Sequence, residues 1–119
     1  MNQEEIRMYE LVVILRHSLG DPEIQQFIDD YTVRIEQSGS IVIKVDNWGK
    51  RKLAYEIKGE RKGTYLCFNF QGKGAVIQPL ENANRINDVI LKSMIIRVEK
   101  IASDTVAGNE VEERESAVV

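Results

Sequence analysis

The period of the apolar residues changes along this chain in the order strand, helix, strand, strand, helix, strand, and this order limits the fold more than any other feature. Runs with a two-residue period or with continuous apolar character predict strands, and a 3.6-residue spacing predicts helices. The strands are predicted over 8–15, over 40–45 with a bent continuation to 57, over 64–70 and within 89–99. The helices are predicted over 21–38 and across 76–83. With right-handed crossovers, the order β-α-β-β-α-β predicts an α+β, ferredoxin-like domain, in which a four-stranded antiparallel sheet carries both helices on one face.

Local signals predict where the helices and turns begin and end. Asp21 is predicted to cap the first helix, with Pro22 at its first position, and Ser38-Gly39 is predicted to end it. The charged segment 59–63 is predicted to form a turn. Pro79 must lie in the first turn of the second helix or kink it.

Alternation assigns side chains to the two faces of the sheet. Leu66, Phe68 and Phe70 are predicted to face the helices, while Ile41, Ile43 and Val45 are predicted to share one face of the second strand. The first and third strands are predicted to be central, and they give the opposite face the side chains Met8, Glu10, Val12, Ile14, Tyr65, Cys67 and Asn69. Because this helix-free face is too apolar for full contact with water, we expect a partner, or a tail or loop of the same chain, to cover it.

The charges divide the chain into a domain over 1–100 and an acidic tail over 101–119. The net charge of the 119 residues is -3, but the tail contains five acidic residues and one arginine. Residues 44–62 contain seven basic and three acidic residues. The net charge of the whole chain therefore does not reveal this basic segment, because the acidic tail offsets it. We expect the tail to contact a basic protein neighbour, because its charge would repel phosphates.

Several classes of function are disfavoured by what the sequence lacks. No apolar run is long enough to span a membrane and the N-terminal residues do not form a secretory signal, so we expect a cytoplasmic protein. The only histidine, His17, and the only cysteine, Cys67, provide neither a metal site nor a catalytic dyad. We therefore predict no enzymatic activity, no catalytic residue, no metal, no cofactor and no small-molecule substrate.

The segment 48–58 is the most informative about function. Three consecutive cations, Lys50 to Lys52, are flanked by Trp48 and Tyr55. Cations neutralise phosphates and aromatic rings stack on bases, so the segment is typical of RNA contact. The alternative is an edge strand that lysines protect from aggregation.

The same segment resembles the hallmark of the bacterial ribosomal small-subunit protein six family. Residues 49–58 read as glycine, any residue and a base, then Leu-Ala-Tyr-x-Ile and a second base. Supporting similarities are Tyr9-Glu10, the segment 63–66, Arg85-Ile86 and Met94. Together they extend over about residues 7–100, while the glycine-rich, proline-containing second helix and the form of the acidic tail depart from the family pattern.

The resemblance implies a structural component of the small ribosomal subunit, located in the platform. It implies binding to small-subunit ribosomal RNA together with ribosomal protein eighteen, as a heterodimer, and it allows contacts with other platform proteins. The residues that we expect at the RNA are Lys50, Arg51, Lys52, Arg61, Lys62, Arg85, Lys92 and Arg97. The residues that we expect at the protein interface are Val12, Trp48, Tyr55, Lys58 and Tyr65.

Two other classes of protein have the same strand order. An RNA-recognition motif would bind single-stranded RNA through aromatic residues on the helix-free face, but Thr64 and Leu66 occupy positions that need aromatic rings and Phe68 is predicted to face the core. A regulatory ferredoxin-like domain that binds a small ligand would explain the apolar face but not the basic segment. Binding of short RNA by the isolated protein would support the first alternative, and a homodimer with a saturable metabolite site would support the second.

Overall fold

The computed structural model describes residues 5–99 and confirms the predicted order of elements. The strands are β1 (Ile6–Arg16), β2 (Ile41–Ile57), β3 (Glu60–Lys73) and β4 (Ile90–Val98). The helices are α1 (Asp21–Gln37) and α2 (Ile77–Ile86), and a 3₁₀ turn, Gly74–Val76, precedes α2. All strand pairs are antiparallel and the spatial order is β2-β3-β1-β4, so the first and third strands are central as predicted. The predicted tail, 101–119, lies outside the described residues.

The main core lies between the sheet and the helices. Alternate residues of the central strands provide most of it, together with the buried faces of α1 and α2. Its fully or almost fully buried members include Leu11, Val13, Leu15, Ile24, Ile35, Leu66, Phe68, Phe70 and Leu80. The predicted inward direction of Leu66, Phe68 and Phe70 is therefore confirmed. None of the helices within residues 5–99 is long and apolar enough to cross a membrane.

The start of α1 differs from the prediction by one residue. The cap is Gly20, and Asp21 is already the first helical residue. The backbone N–H of Gly20 donates to the Glu23 carboxylate at 2.9 Å. This carboxylate, three residues into the helix, binds the N–H of the capping residue, while glycine has no side chain with which to cap the helix itself. Pro79 lies in the first turn of α2, where its missing N–H costs no hydrogen bond.

The predicted alternation in the first part of β2 was wrong. Ile41 and Ile43 are exposed, at 56% and 43%, whereas Val42 and Val45 pack against the main core. The register with β3 shifts between Val42 and Lys44, so one extra residue is inserted there. A β-bulge of this kind reverses the side-chain parity beyond it, which simple alternation does not anticipate.

The turn between β2 and β3 is also shorter than predicted. Ile57 pairs with Glu60, so the turn contains only Lys58 and Gly59, and residues 60–63 already belong to β3. Both turn residues have positive φ, at 51° and 82°. Two positive φ values are the signature of the type I′ turn that fits the twist of a hairpin. Arg61 and Lys62 consequently lie in a strand and not in a turn.

Candidate functional site

Residues 49–52 of β2 pair with β3 without interruption, and this pairing fixes which face each side chain occupies. Arg51 lies opposite Gly63 and shares the helix-free face with Tyr65 and Cys67. Lys50 lies opposite Thr64 and Lys52 lies opposite Lys62, so these lysines have the parity of the other face. The three consecutive cations are therefore divided between two faces of one hairpin.

Trp48, Arg51 and Tyr65 form one cluster on the helix-free face. The Arg51 guanidinium carbon lies 5.6 Å from the centre of the Trp48 ring and 5.7 Å from that of Tyr65. Both distances are within the range of a cation–π interaction. The two rings pack against the fully buried Val12 and Cys67, and Met94 and Ile96 pack against the same two residues. Val12, predicted as an interface residue, thus lies beneath this cluster.

A second irregularity in β2 places Trp48 in this cluster. The register with β3 shifts between Asn47 and Gly49, so Trp48 is the inserted residue. Gly49 has a φ of 87°, which glycine adopts without steric cost, and its N–H donates to the Asn47 side-chain oxygen at 2.8 Å. This local turn bends the strand where the sequence predicted a bend.

A third irregularity carries the Leu-Ala-Tyr segment across the helix-free face. Four residues, 53–56, lie opposite Arg61 alone. Leu53 is buried with Ile14 and Leu91, which belong to β1 and β4. The Tyr55 hydroxyl accepts a hydrogen bond from Lys92 Nζ of β4 at 2.8 Å. Part of the helix-free face is therefore covered by the chain itself, which was one of the two predicted alternatives.

The remaining predicted residues occupy distinct positions. Tyr55 is 60% exposed, and the centre of its ring is 5.4 Å from Lys92 Nζ. Lys58 donates to the Ile90 carbonyl at 3.1 Å. Arg85, at the end of α2, donates to the Asn82 side chain at 3.3 Å. Arg97 lies opposite Tyr9, at the other end of β4, so the structure does not bring it to the hairpin.

The cations predicted to contact RNA differ from the others in their ion pairing. Within residues 5–99, the ion pairs are Arg7–Glu5, Arg16–Glu60, His17–Glu60 and Lys44–Asp46. None of the eight predicted RNA-contact residues takes part in them. Their positive charge is not neutralised by a described carboxylate, so it remains available to an anionic partner.

Two groups of residues were not predicted from the sequence. Met94 and Ile96 extend the aromatic cluster, and the alternation of β4 could have identified them. The second group is a polar network in which the Tyr31 hydroxyl donates to Asn84 at 2.6 Å and Asn84 donates to Ser93 at 3.3 Å. The spacing of these residues along the chain gives no signal for it. Within residues 5–99, no group of histidine, cysteine, aspartate and glutamate side chains could hold a metal ion.

Known proteins resemble this chain over nearly all of the region described above. The family model for ribosomal protein S6 matches residues 8–97. Small ribosomal subunit protein bS6 from Heliobacterium modesticaldum is 40% identical over 92 residues, which cover 77% of this chain and 96% of that protein. The same protein from Carboxydothermus hydrogenoformans is 39% identical over 95 residues, which cover 80% and 99%. The crystal structure of 30S ribosomal protein S6 from Thermotoga maritima matches with a TM-score of 0.71 and 26% identity, covering 95% of this chain and 99% of that one.

Proposed function

Because the chain belongs to the ribosomal protein S6 family, we propose that, as a component of the small ribosomal subunit, it binds ribosomal RNA and ribosomal protein eighteen through opposite faces of the β2–β3 hairpin. Family membership implies a structural role in a ribonucleoprotein used in translation. The finer proposal is that the protein lies in the platform of the subunit and that the two faces of the hairpin bind different partners. It rests on one observation, the separation of the consecutive cations by strand parity.

The face that carries Lys50, Lys52 and Lys62 suits RNA phosphates. All three side chains are exposed, and none forms an ion pair within residues 5–99. Lys52 and Lys62 are direct cross-strand neighbours, and like charges in that position repel each other. A phosphate between them would relieve this repulsion, and phosphate contacts provide most of the affinity of sequence-independent RNA binding.

The face that carries Trp48, Arg51 and Tyr65 suits a protein partner. Aromatic residues and arginine are enriched in the centre of protein interfaces. The sequence placed Arg51 among the RNA contacts, but its guanidinium lies over two rings. We therefore assign Arg51 to the surface for protein eighteen, with Trp48, Tyr55 and Tyr65 beside it and with Val12 as support from below.

A pair of substitutions separates the two faces. Lys52→Gln should lower the slope of log affinity for the ribosomal RNA against log salt by about one, and it should leave the affinity for protein eighteen unchanged. Arg51→Gln should weaken the binding of protein eighteen roughly tenfold without changing the slope. Both quantities would be measured with purified full-length protein, protein eighteen and a ribosomal RNA fragment that contains the platform junction.

The control is Arg97→Gln. The sequence predicted Arg97 as an RNA contact, but it lies opposite Tyr9 at the far end of β4, away from the hairpin, so we assign it to neither surface. Equal changes of the salt slope in the Arg51 and Lys52 variants would contradict the separation of faces. The broader proposal is tested by gradient sedimentation of the tagged protein from a lysate. Co-migration with the small subunit, and release at high salt together with a basic protein, would support it, whereas a free monomer or homodimer at the top of the gradient would overturn it.

A further inference from the structure

A cleft of about 380 Å³ lies between α2, β4 and the turn that joins β2 to β3. Its volume is at the lower end of the range of small-molecule sites, which suits a ligand of the size of one nucleotide. Its lining residues are Lys58, Glu81, Asn84, Arg85, Ile90, Leu91, Lys92 and Ser93. Three separate elements therefore contribute side chains to one concave surface.

The charge of the lining favours an anion. Lys58, Arg85 and Lys92 are cations, and Glu81 is the only acidic residue of the lining. The hydrogen bonds of the three cations go to the Ile90 carbonyl, the Asn82 amide oxygen and the Tyr55 hydroxyl, all of which are neutral. The Lys92 ammonium group is bound to Tyr55 on the helix-free face, so Lys58 and Arg85 provide the positive charge of the cleft. Their two charges exceed the charge of Glu81 together with the partial negative charge of about one half at the carbonyl end of α2.

The floor of the cleft is polar and held in place. Asn84 is buried and fixed between the Tyr31 hydroxyl, at 2.6 Å, and Ser93 Oγ, at 3.3 Å. Because Ser93 accepts the bond from Asn84, its own hydroxyl proton is available to a ligand. Glu81 offers carboxylate oxygens that accept hydrogen bonds from an exocyclic amine or a ribose hydroxyl.

We propose that this cleft binds one unstacked nucleotide of an RNA chain. Its phosphate would contact Lys58 and Arg85, and its ribose or base would bind Ser93 and Glu81. Proteins that distinguish RNA sequences do so mainly through nucleotides splayed out of single-stranded loops and bulges. The inference rests on the proposed function, which it deepens by adding a pocket for one nucleotide to the phosphate contacts of the hairpin.

The first test uses nuclear magnetic resonance of the full-length protein, titrated with each of the four nucleoside 5′-monophosphates and, separately, with inorganic phosphate. We expect saturable shifts confined to the backbone amides of Lys58, Glu81, Asn84, Arg85 and residues 90–93, with at least one nucleotide binding more tightly than phosphate. Shifts spread over all exposed cations, or phosphate binding as tightly as every nucleotide, would overturn the proposal.

Lys58→Asn is the variant that isolates the charge of the cleft. Asparagine tolerates the left-handed conformation of residue 58, where φ is 51°, so the turn is preserved while one cation is removed. The dissociation constant for the nucleotide should rise about tenfold. Arg97→Gln, which also removes one cation, should leave it unchanged.

The failure of this inference is distinguishable from the failure of the proposed function. An equal loss of nucleotide affinity in the Lys58→Asn and Arg97→Gln variants would show that nucleotides bind by general electrostatic attraction and not in the cleft. This result would overturn the proposal. The wild-type protein would nevertheless still bind protein eighteen and ribosomal RNA if the proposed function holds. That binding is measured in the same preparations, so the two results are independent.

Discussion

The hydroxyl of Tyr31 connects α1, α2 and β4 through one hydrogen-bond network. It donates to Asn84, which in turn donates to Ser93. Burial raises the pKa of the Tyr31 hydroxyl to about 12, and the hydrogen bond with Asn84 and the charge of Arg34 oppose this rise only in part. Ionisation of this phenol is therefore less favourable in the folded protein than in the unfolded chain.

The variant Tyr31→Phe tests this network. The buried Asn84 oxygen loses its donor, so the free energy of unfolding at pH 7 should fall by about 1–3 kcal/mol. The folded pKa is above the unfolded value of 10.0, so the folded state holds more protons and the wild type loses stability as the pH rises from 10 towards 12. The stability difference between wild type and variant should therefore shrink over that range.

Denaturant unfolding at pH 7, 9, 10 and 11 measures both quantities. Tyr55→Phe is the matched control, because this tyrosine is largely exposed and its hydroxyl is not part of the buried network. If the difference between wild type and Tyr31→Phe stayed constant up to pH 11, the Tyr31 hydroxyl would not be the group whose ionisation destabilises the fold.

At the scale of elements, the irregularities of β2 determine the functional surface. The insertion at Trp48 turns the indole onto the helix-free face, and the wide bulge at 53–56 carries Tyr55 to β4. An uninterrupted strand of the same length would distribute these residues by simple parity. The surface that we assign to protein eighteen therefore depends on backbone geometry as much as on side chains.

Gly49→Ala tests this dependence. An added Cβ would meet nothing within 4 Å, so the cost comes from the φ of 87° and should be about 1–2 kcal/mol of folding stability. Because relief of the strain would shift Trp48, the affinity for protein eighteen should also fall. Gly39→Ala is the matched control, since Gly39 has a φ of 95° and equally open space but lies after α1.

The measurements are denaturant unfolding and the binding of protein eighteen by both variants. Similar losses of stability, with weaker binding only for Gly49→Ala, would support the role of the bulge. Equal binding by both variants would show that the position of Trp48 does not depend on the conformation of Gly49.

The same irregularities limit what the sequence could predict. The order of elements and the inward faces of β1 and β3 follow from hydrophobic period, because these central strands pair without interruption over the core. The exposure of Ile41 and Ile43 and the position of Trp48 on the helix-free face depend on where residues are inserted relative to β3. An insertion is a property of two paired strands, so the pattern of one strand does not reveal it.

For the whole molecule, the described charges that form ion pairs are not those that we assign to RNA. Arg16 and His17 share the Glu60 carboxylate at one end of the sheet. In the hairpin Lys44 pairs with Asp46, but Lys50, Lys52 and Lys62 and the cations of the α2–β4 cleft form no ion pair within residues 5–99. A fold selected for stability alone would be expected to pair Lys52 with an acidic neighbour on β3. Lys62 occupies that position, which agrees with the phosphate contact that we propose for this face.

Lys62→Glu should therefore change stability and function in opposite directions. A glutamate opposite Lys52 replaces a repulsive cross-strand pair with an attractive one, so the isolated protein should gain about 0.2–1 kcal/mol of unfolding free energy at low salt. The same change should weaken the binding of ribosomal RNA in the presence of protein eighteen, because a cation is replaced by an anion beside the phosphates. Denaturant unfolding at two salt concentrations and RNA titration of the same samples measure both effects.

Arg97→Glu, an identical change of charge at the far end of β4, should leave RNA affinity nearly unchanged. A Lys62→Glu protein that bound RNA as well as wild type would show that the repulsion between Lys52 and Lys62 is not maintained for RNA.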